Sequence, residues 1–220
     1  MSWSQLGPLL WQGTVDTVYM TLWASIISYL IGLPLGVLLV VTRKGHIMPH
    51  PTFNAVLGVA VNFLRSIPFI IMLALLFPVT RVVMGTAIGT RSVIFPLVVS
   101  AFPYIARMVE NSLEEVDRGV IEASQSMGST NMQIIFKVLL PEAVPSLVNG
   151  AAISVTTILA YTALASAAGG GGLGSIAIVK GLNIRKFDVM YSASLLLVAL
   201  VQIITVFGTR LMRGLDHKRR

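Results

Sequence analysis

The sequence predicts an all-α, polytopic membrane protein, in which five transmembrane helices form the bundle of a single domain, residues 1–220. Hydrophobic residues make up 55% of the chain and charged residues only 11%, well below the quarter or so that is typical of soluble domains. Several apolar runs approach or reach the roughly 20 residues that a helix needs to cross a hydrocarbon core of ~30 Å. The chain is therefore expected to fold in lipid.

Five spans are predicted from the apolar runs and from the polar segments that separate them. Their predicted ranges are residues 17–41, 55–79, 92–109, 144–168 and 190–212.

The first span is predicted to stay in the mature protein. A cleaved signal peptide needs a basic start, but the first Lys or Arg is Arg43, after the apolar run. Aromatic residues lie before and at the beginning of this span, where their rings suit the outer boundary between headgroups and acyl chains. They are Trp3, Trp11, Tyr19 and Trp23.

Polar residues interrupt the second span at Asn62, Arg65 and Ser66. A charged side chain inside the membrane is costly unless it faces water or protein, so Arg65 is a candidate for the inner mouth of a solute pathway. An arginine at a helix end that reaches lipid headgroups is the alternative. In the third span, Pro96 and Pro103 predict kinks, which membrane bundles tolerate where neighbours satisfy the freed carbonyls.

The segment between the third and fourth spans, about residues 110–145, contains six of the nine acidic residues. Within it, Val120, Ala123, Ser124 and Met127 form one stripe of a short helix, and Gly128 occupies the position of a left-handed residue that ends it. We call residues 120–141 the arm.

The second half of the arm predicts another helix. Thr130 and Gln133 have the spacing of a capping box, and Pro141 is expected to stop the helix. Its apolar positions, which can face the membrane bundle, are Ile134, Ile135, Val138 and Leu139. Two short helices would make a rigid projection that another protein can contact, whereas an amphipathic hairpin on the membrane surface is the alternative.

Small and weakly polar residues run through the fourth span, including Tyr161, and suit either tight helix packing or a channel lining. Leu164, near its outer end, is a candidate gate residue. Gly169, Gly171 and Gly174 match a dinucleotide-binding spacing, but they follow a membrane helix with no strand before them, so that site is rejected. A flexible outer turn with positive φ angles is expected instead.

The distribution of Lys and Arg predicts the topology, because cytoplasmic flanks carry an excess of positive charge. One side holds Arg43, Lys44, Arg107, Arg118, Lys137 and the basic tail of Arg210, Arg213, Lys218, Arg219 and Arg220. The other side holds Arg81, Arg91, Lys180, Arg185 and Lys186. The C-terminus is thus predicted to be cytoplasmic and the N-terminus to lie outside.

Several functional classes are excluded. The chain has no cysteine, its three histidines lie beside basic residues, and no Lys follows the spacing of a phosphate-binding loop. Metal, cofactor, redox and ATP-hydrolysing sites are therefore not expected in this chain. The net charge of +7 comes from the flanks of spans, so membrane lipid rather than nucleic acid is the expected contact.

The arm resembles the Glu-Ala-Ala-x-x-x-Gly-x(9)-Ile-x-Leu-Pro signature of the permease subunits of binding-protein-dependent ABC importers. The matching residues are Glu122, Ala123, Ser124, Gly128, Val138, Leu140 and Pro141, with Ser124 for the second Ala and Val138 for Ile. Within that family, residues 63–71, 105–111 and 137–143 resemble the methionine-uptake permeases.

The resemblance implies a type I importer permease fold in a bacterial cytoplasmic (inner) membrane. It implies a homodimer that couples through the arm, Met127 included, to two ATP-binding cassette subunits, which bind ATP and Mg²⁺. It also implies an extracytoplasmic solute-binding protein that delivers methionine (D or L) or a similar amino acid.

Three rival functions stay open: a permease for another small solute such as a polar amino acid, a passive channel or regulatory subunit, and an ion-coupled transporter. The last requires buried titratable groups, and the predicted spans contain no chain of carboxylates or histidines that could draw work from an ion gradient.

Overall fold

The computed structural model describes residues 3–215, with side chains described for 6–166 and 169–214. Over residues 3–215 the chain is helical and has no strand, which agrees with the predicted class. The predictions for the side chain of Trp3 and for Lys218, Arg219 and Arg220 lie outside the described residues.

Ten α-helices lie within the described part of the chain, with three short π-helical or 3₁₀ segments between them. The helices are α1 (Trp3–Val41), α2 (Pro51–Ser66), α3 (Phe69–Met84), α4 (Ile94–Glu114), α5 (Arg118–Ser126), α6 (Asn131–Ile134), α7 (Leu140–Glu142), α8 (Val144–Leu164), α9 (Gly172–Ser175) and α10 (Phe187–Leu215). The other segments are Ile135–Leu139 and Ile176–Leu182, both π-helical, and Ala165–Ala168, which is 3₁₀.

Helix α1 begins well before the predicted first span. Its 39 residues measure roughly 58 Å at 1.5 Å each, about twice the thickness of a hydrocarbon core. Leu6 is 3% exposed and belongs to a cluster with Leu173, Ile176 and Val189. The helix extends past the lipid-length run because protein, and not only lipid, covers its first turns.

The second predicted span is interrupted. Helix α2 ends at Ser66 and α3 begins at Phe69, with a bend of 101° between them. Pro68 precedes α3 with a φ of −57° and a ψ of 140°, and a proline disfavours helical geometry in the residue before it. The sequence predicted one helix over residues 55–79 because hydrophobic residues continue across the break. That prediction was wrong, since two helices lie there.

Helix α4 covers the third predicted span and continues to Glu114, with Pro103 inside it. Helix α1 packs closely against it through Gly32 and Gly36. A Cβ atom on Gly36 would lie 2.6 Å from the carbonyl oxygen of Ala106, so only glycine allows this approach. The four-residue spacing of small residues is typical of membrane helix contacts.

Three described helices are long and apolar enough to cross a membrane, and the bent α2–α3 pair makes a fourth candidate. These three are α1, α8 and α10. Helix α4, at 21 residues, has the length of a span but carries Arg107, Glu110 and Glu114 in its second half.

The described residues form two compact units. The first, residues 3–28, 67–101 and 155–206, contains the cluster around Leu173. The second, residues 29–66, 102–154 and 207–215, contains the α1–α4 glycine contact and the arm. The single domain inferred from sequence stays a prediction.

Candidate functional site

The first half of the arm lies on a capped helix, α5, which begins two residues before the arm. Asp117 precedes α5, and its carboxylate oxygen accepts a hydrogen bond of 2.7 Å from the backbone N–H of Gly119. A carboxylate at this position satisfies a free N–H of the first turn and interacts favourably with the helix dipole. Helix α5 therefore starts at a defined residue.

Gly128 ends that helix in the predicted left-handed conformation, with a φ of 80°. The N–H of Gly128 donates to the carbonyl of Gln125 at 2.9 Å, and the N–H of Ser129 donates to the carbonyl of Ser124 at 3.2 Å. This pair of bonds is a Schellman motif, which turns the chain sharply after a helix.

The second half of the arm begins with the predicted capping box. Thr130 Oγ1 accepts from the N–H of Gln133 at 3.3 Å, and Gln133 Oε1 accepts from the N–H of Thr130 at 2.8 Å. Helix α5 contacts both α6 and the π-helical turn that follows it. The two halves of the arm therefore support each other.

Pro141 does not stop the second helix as predicted. The chain widens into a π-helical turn over Ile135–Leu139, in which the N–H of Leu140 donates to the carbonyl of Ile135, five residues back. Pro141 lacks an N–H and would clash with the preceding turn of a regular α-helix. The wider turn accommodates it, and the helical path continues to Glu142.

The arm has one buried face. Val138 and Leu140 are half-buried. The buried residues of this face are Ile121, Ser124, Ile134, Ile135 and Leu139. Burial of Ile134, Ile135 and Leu139 agrees with the predicted apolar positions. In α5, however, Val120 and Met127 are exposed, so the stripe drawn through them is not the buried one.

The other face exposes several of the predicted contact residues together with apolar side chains that the sequence analysis missed. Glu122, Ala123, Gly128 and Pro141 are exposed, and Met127 is 79% exposed. Met132 and Phe136, four residues apart, are 59% and 65% exposed. A spacing of four residues places both side chains on one face of a helix, and they alternate with the buried residues Ile134, Ile135 and Leu139. This spacing was the sequence signal for a second apolar face.

Charged side chains support the base of the arm. Arg107 Nη1 lies 2.5 Å from Glu110 Oε2, and Arg107 Nη2 donates to the carbonyl of Gly58 at 2.9 Å. Arg43, in the turn after α1, pairs with Glu114 at the end of α4. These contacts join α1, α2 and α4 below the segment that leads into α5.

His46 lies half-buried in the loop between α1 and α2. Burial lowers the pKa of its imidazole below the ordinary value, and the positive charges of Arg118 and Arg43 lower that pKa further. Arg118 is the first residue of α5, so the loop and the start of the arm share one electrostatic environment.

The predicted pathway residues fall into two groups. Asn62, Arg65 and Ser66 are exposed in the last turns of α2, where Ser66 Oγ donates to the carbonyl of Asn62 at 2.7 Å. Tyr161 is half-buried on α8, and Leu164, at the end of that helix, is 48% exposed.

Tyr161 has a partner that the sequence did not indicate. Its ring stacks on Phe69, with centroids 4.7 Å apart and planes 3° from parallel. Phe69 is buried at the start of α3, directly after the bend.

The glycine-rich segment is packed rather than open. Gly169 and Gly172 have positive φ angles, as predicted. The carbonyl of Gly169 accepts from the N–H of Gly89 at 3.1 Å, and the N–H of Leu173 donates to Thr17 Oγ1 at 2.9 Å. A Cβ atom at Gly171 or Gly172 would lie within 2.6 Å of Thr90 or Thr17, so this close approach requires residues without Cβ atoms. The flexibility of the turn stays a prediction.

Residues 3–215 contain no group of three or more His, Asp or Glu side chains that could hold a metal ion. The exposed face of the arm offers apolar and small side chains, which suit contact with a protein rather than chemistry.

Comparison with known proteins gives matches over nearly the whole chain. Residues 30–220 match the family model described as "Binding-protein-dependent transport system inner membrane component". The probable D-methionine transport system permease protein MetI of Vibrio cholerae serotype O1 is 42% identical over 210 residues, which cover 96% of this chain and 93% of that protein. The D-methionine transport system permease protein MetI of Escherichia coli K12 is 49% identical over 160 residues, 71% of this chain and 74% of that protein.

Among solved structures, a chain of the MetNI methionine ABC transporter in inward-facing conformations matches with a TM-score of 0.96 and 46% sequence identity. The match covers 99% of this chain and 100% of that chain.

Proposed function

Since this chain belongs to the family of binding-protein-dependent transport system inner membrane components, we propose that it forms the transmembrane pathway of an ATP-driven importer of methionine, in its D or L form. Family membership confirms the resemblance seen in the arm. It also confirms the expected helical permease fold and the expectation of a transport subunit rather than an enzyme.

The observation that carries the proposal is the exposed apolar face of the arm. Val120, Met127, Met132 and Phe136 are between 43% and 79% exposed. They lie on α5, which is capped at both ends, and on the helical segment that begins at the capping box of Thr130. Exposed apolar patches on an ordered segment mark sites of protein contact. We assign this face to a groove of the ATPase subunit, with Glu122, Ala123 and Gly128 at the contact.

The work of transport comes from outside the chain in this proposal. Shifting a two-state gate from 1:99 to 99:1 needs about 5.5 kcal/mol of differential binding. Two copies of the chain form the pathway about a two-fold axis, and each arm is seated in one ATPase subunit, which binds ATP and Mg²⁺. Closure of those subunits moves the arms together and opens the outer side, where a binding protein delivers the amino acid.

The expected topology assigns positions to the candidate residues of the solute pathway. Arg65, with Asn62 and Ser66, lies at the inner mouth, and Tyr161 and Leu164 lie towards the outer side. The N-terminus lies outside and the C-terminus in the cytoplasm, so the arm faces the cytoplasm.

The proposal is tested by uptake of labelled methionine into proteoliposomes. Uptake is expected when this chain, the ATPase subunit, the binding protein and ATP are all present, and it is expected to stop when any one of them is omitted. Uptake by this chain alone down a concentration gradient would identify a passive channel, and uptake driven by an ion gradient would identify an ion-coupled transporter. Either result would overturn the proposal.

A matched pair of substitutions tests the arm itself. Gly128→Asp and Gly128→Asn have nearly the same shape, both tolerate the left-handed conformation, and no atom lies within 4 Å of a Cβ built there. The Asp variant adds a charge at the proposed contact, so it should lower co-purification of the ATPase subunit more than the Asn variant does. Equal co-purification and equal transport would contradict this contact.

A further inference from the structure

Phe69 covers one face of the Tyr161 ring. The two rings are nearly parallel at a centroid distance within the range of stacked aromatic pairs. Phe69 is 5% exposed, whereas Tyr161 is only half-buried. One face of the tyrosine ring is therefore held against Phe69, and part of the residue remains accessible.

The elements that carry the pair fix its position. Phe69 is the first residue of α3, where the N–H groups of Ile71 and Met72 both donate to the carbonyl of Pro68 at 2.9 Å. Helix α3 also contacts the 3₁₀ segment that follows α8. The ring of Tyr161 is thus carried by α8 and held by the start of α3, which also contacts the segment that follows α8.

Neighbouring side chains on α8 extend the accessible surface. Thr157, Tyr161 and Leu164 follow a spacing of four and three residues, so they share one face of the helix. Thr157 is half-buried and Leu164 is 48% exposed. This face offers a hydroxyl, an aromatic ring and an aliphatic side chain in sequence.

The chemistry of this face matches one feature of the proposed cargo. A thioether is polarisable and makes favourable contacts with aromatic rings, often at the ring edge, which an aliphatic methylene does not reproduce. Tyr161 is the aromatic residue of α8, whose other residues are aliphatic or small and polar. A tyrosine that served only as an interfacial anchor would not need a buried parallel partner.

We propose that the accessible part of the Tyr161 ring contacts the thioether side chain of the transported amino acid during passage, and that Phe69 is the positioning residue for this ring. Tyr161 is then a specificity-determining residue of the permease itself. The inference rests on the proposed function, because it takes methionine as the cargo.

The test compares methionine with norleucine, in which a methylene replaces the sulfur. Initial uptake rates of both are measured in proteoliposomes that contain the complete importer and its binding protein. The preference of the binding protein is the same for every variant and cancels when the methionine-to-norleucine ratio of a variant is divided by that of the wild type. Norleucine uptake and ATPase activity report whether each variant assembles.

Tyr161→Phe keeps the ring and should keep the ratio. Tyr161→Leu should lower the ratio by about two- to tenfold, the range that loss of a sulfur–aromatic contact represents. Phe69→Leu should lower it by a smaller factor, because the ring of Tyr161 remains but is no longer held. An unchanged methionine-to-norleucine ratio in Tyr161→Leu would overturn the inference. Methionine uptake by the wild type would still support the proposed function in that case.

A measurement on the unaltered chain keeps the inference testable if Tyr161→Leu does not assemble. A diazirine analogue of methionine is loaded on the binding protein and illuminated during turnover. The expected result is labelling of the peptide that contains Tyr161. Labelling confined to other peptides would overturn the inference, and absence of any methionine uptake by the wild type would instead refute the proposed function.

Discussion

Arg107 forms an ion pair within α4 and a hydrogen bond that connects α4 to α2 near the segment that leads into the arm. Arg107 and Glu110 are 19% and 11% exposed as side chains, so both ions are largely removed from water. Ions that are buried together are stable only while each keeps its partner. The hydrogen bond from Arg107 to the carbonyl of Gly58 gives the guanidinium a second partner, on α2.

Arg107→Met is therefore expected to destabilise the protein strongly. It leaves the Glu110 carboxylate without its partner and the Gly58 carbonyl without this donor, and removal of one member of a buried pair costs about 3–5 kcal/mol. Thermal unfolding of the purified protein in detergent measures the effect. The double variant Arg107→Met, Glu110→Leu removes both ions and should recover most of the loss, and a double variant no more stable than Arg107→Met would refute this explanation.

His46 predicts a dependence of stability on pH. Because burial and two arginines lower the pKa of the folded imidazole, the unfolded chain binds a proton more readily. Stability is then fully present above the ordinary value of about 6.5 and is lost as pH falls through the folded pKa. His46→Gln should flatten this part of the curve.

The measurement is the unfolding midpoint between about pH 5 and pH 7, the interval around and below the ordinary histidine pKa. His50→Gln is the matched control, because His50 lies exposed at the end of the same loop. The explanation fails if His46→Gln keeps the slope of the wild type or if His50→Gln removes it.

At the scale of the helix, close packing depends on residues that have no side chain. Gly32 and Gly36 of α1 lie against Ile105, Ala106 and Val109 of α4. Cβ atoms at the two glycines would come within 2.6 to 2.9 Å of atoms in α4, including backbone oxygens that cannot move aside as the end of a flexible side chain can.

Gly36→Ala should therefore destabilise the α1–α4 contact. Overpacking of a close contact typically costs about 1–3 kcal/mol. Gly214→Ala is the control, because no atom lies within 4 Å of a Cβ at Gly214, an exposed position of helix α10. Alanine for glycine at an open helical position is expected to stabilise by up to roughly 0.5–1 kcal/mol. Unfolding midpoints of the two variants should move in opposite directions, and a shift of the same sign in both would count against specific packing at Gly36.

Some features of the helices could be predicted from the sequence and others could not. The Schellman glycine at Gly128 and the capping box at Thr130 and Gln133 were predicted correctly because they depend on residues within one or two turns. The bend before Phe69 was missed since apolar residues continue on both sides of it. The π-helical turn was missed because sequence alone does not indicate whether a helix widens around Pro141 or ends there.

For the whole molecule, composition identified a helical membrane protein, and the arm motif identified its family. Composition does not say which apolar residues lipid covers and which a protein covers. Met132, Phe136 and Phe69 have similar hydropathy, yet the first two are exposed on the arm and the third is buried beneath Tyr161. Such differences depend on contacts between distant segments, so neither the partner of Tyr161 nor the second apolar face of the arm follows from hydropathy.

The topology of the whole chain makes the final prediction. The native chain has no cysteine, so single cysteines report accessibility without background. Gln12 is exposed near the start of α1, and Met127 is exposed on the arm. A membrane-impermeant maleimide is expected to label Gln12→Cys in right-side-out vesicles and Met127→Cys only in inverted ones.

Addition of the ATPase subunit sharpens this measurement. If the arm is seated in that subunit, the subunit should protect Met127→Cys from the maleimide in inverted vesicles and leave Lys44→Cys reactive, since Lys44 is exposed in the loop after α1 and outside the arm. Labelling of Met127→Cys from the outside would place the arm on the wrong side of the membrane to receive work from ATP. In that case both the proposed topology and the proposed coupling would fail, because both require Met127 to lie on the cytoplasmic side.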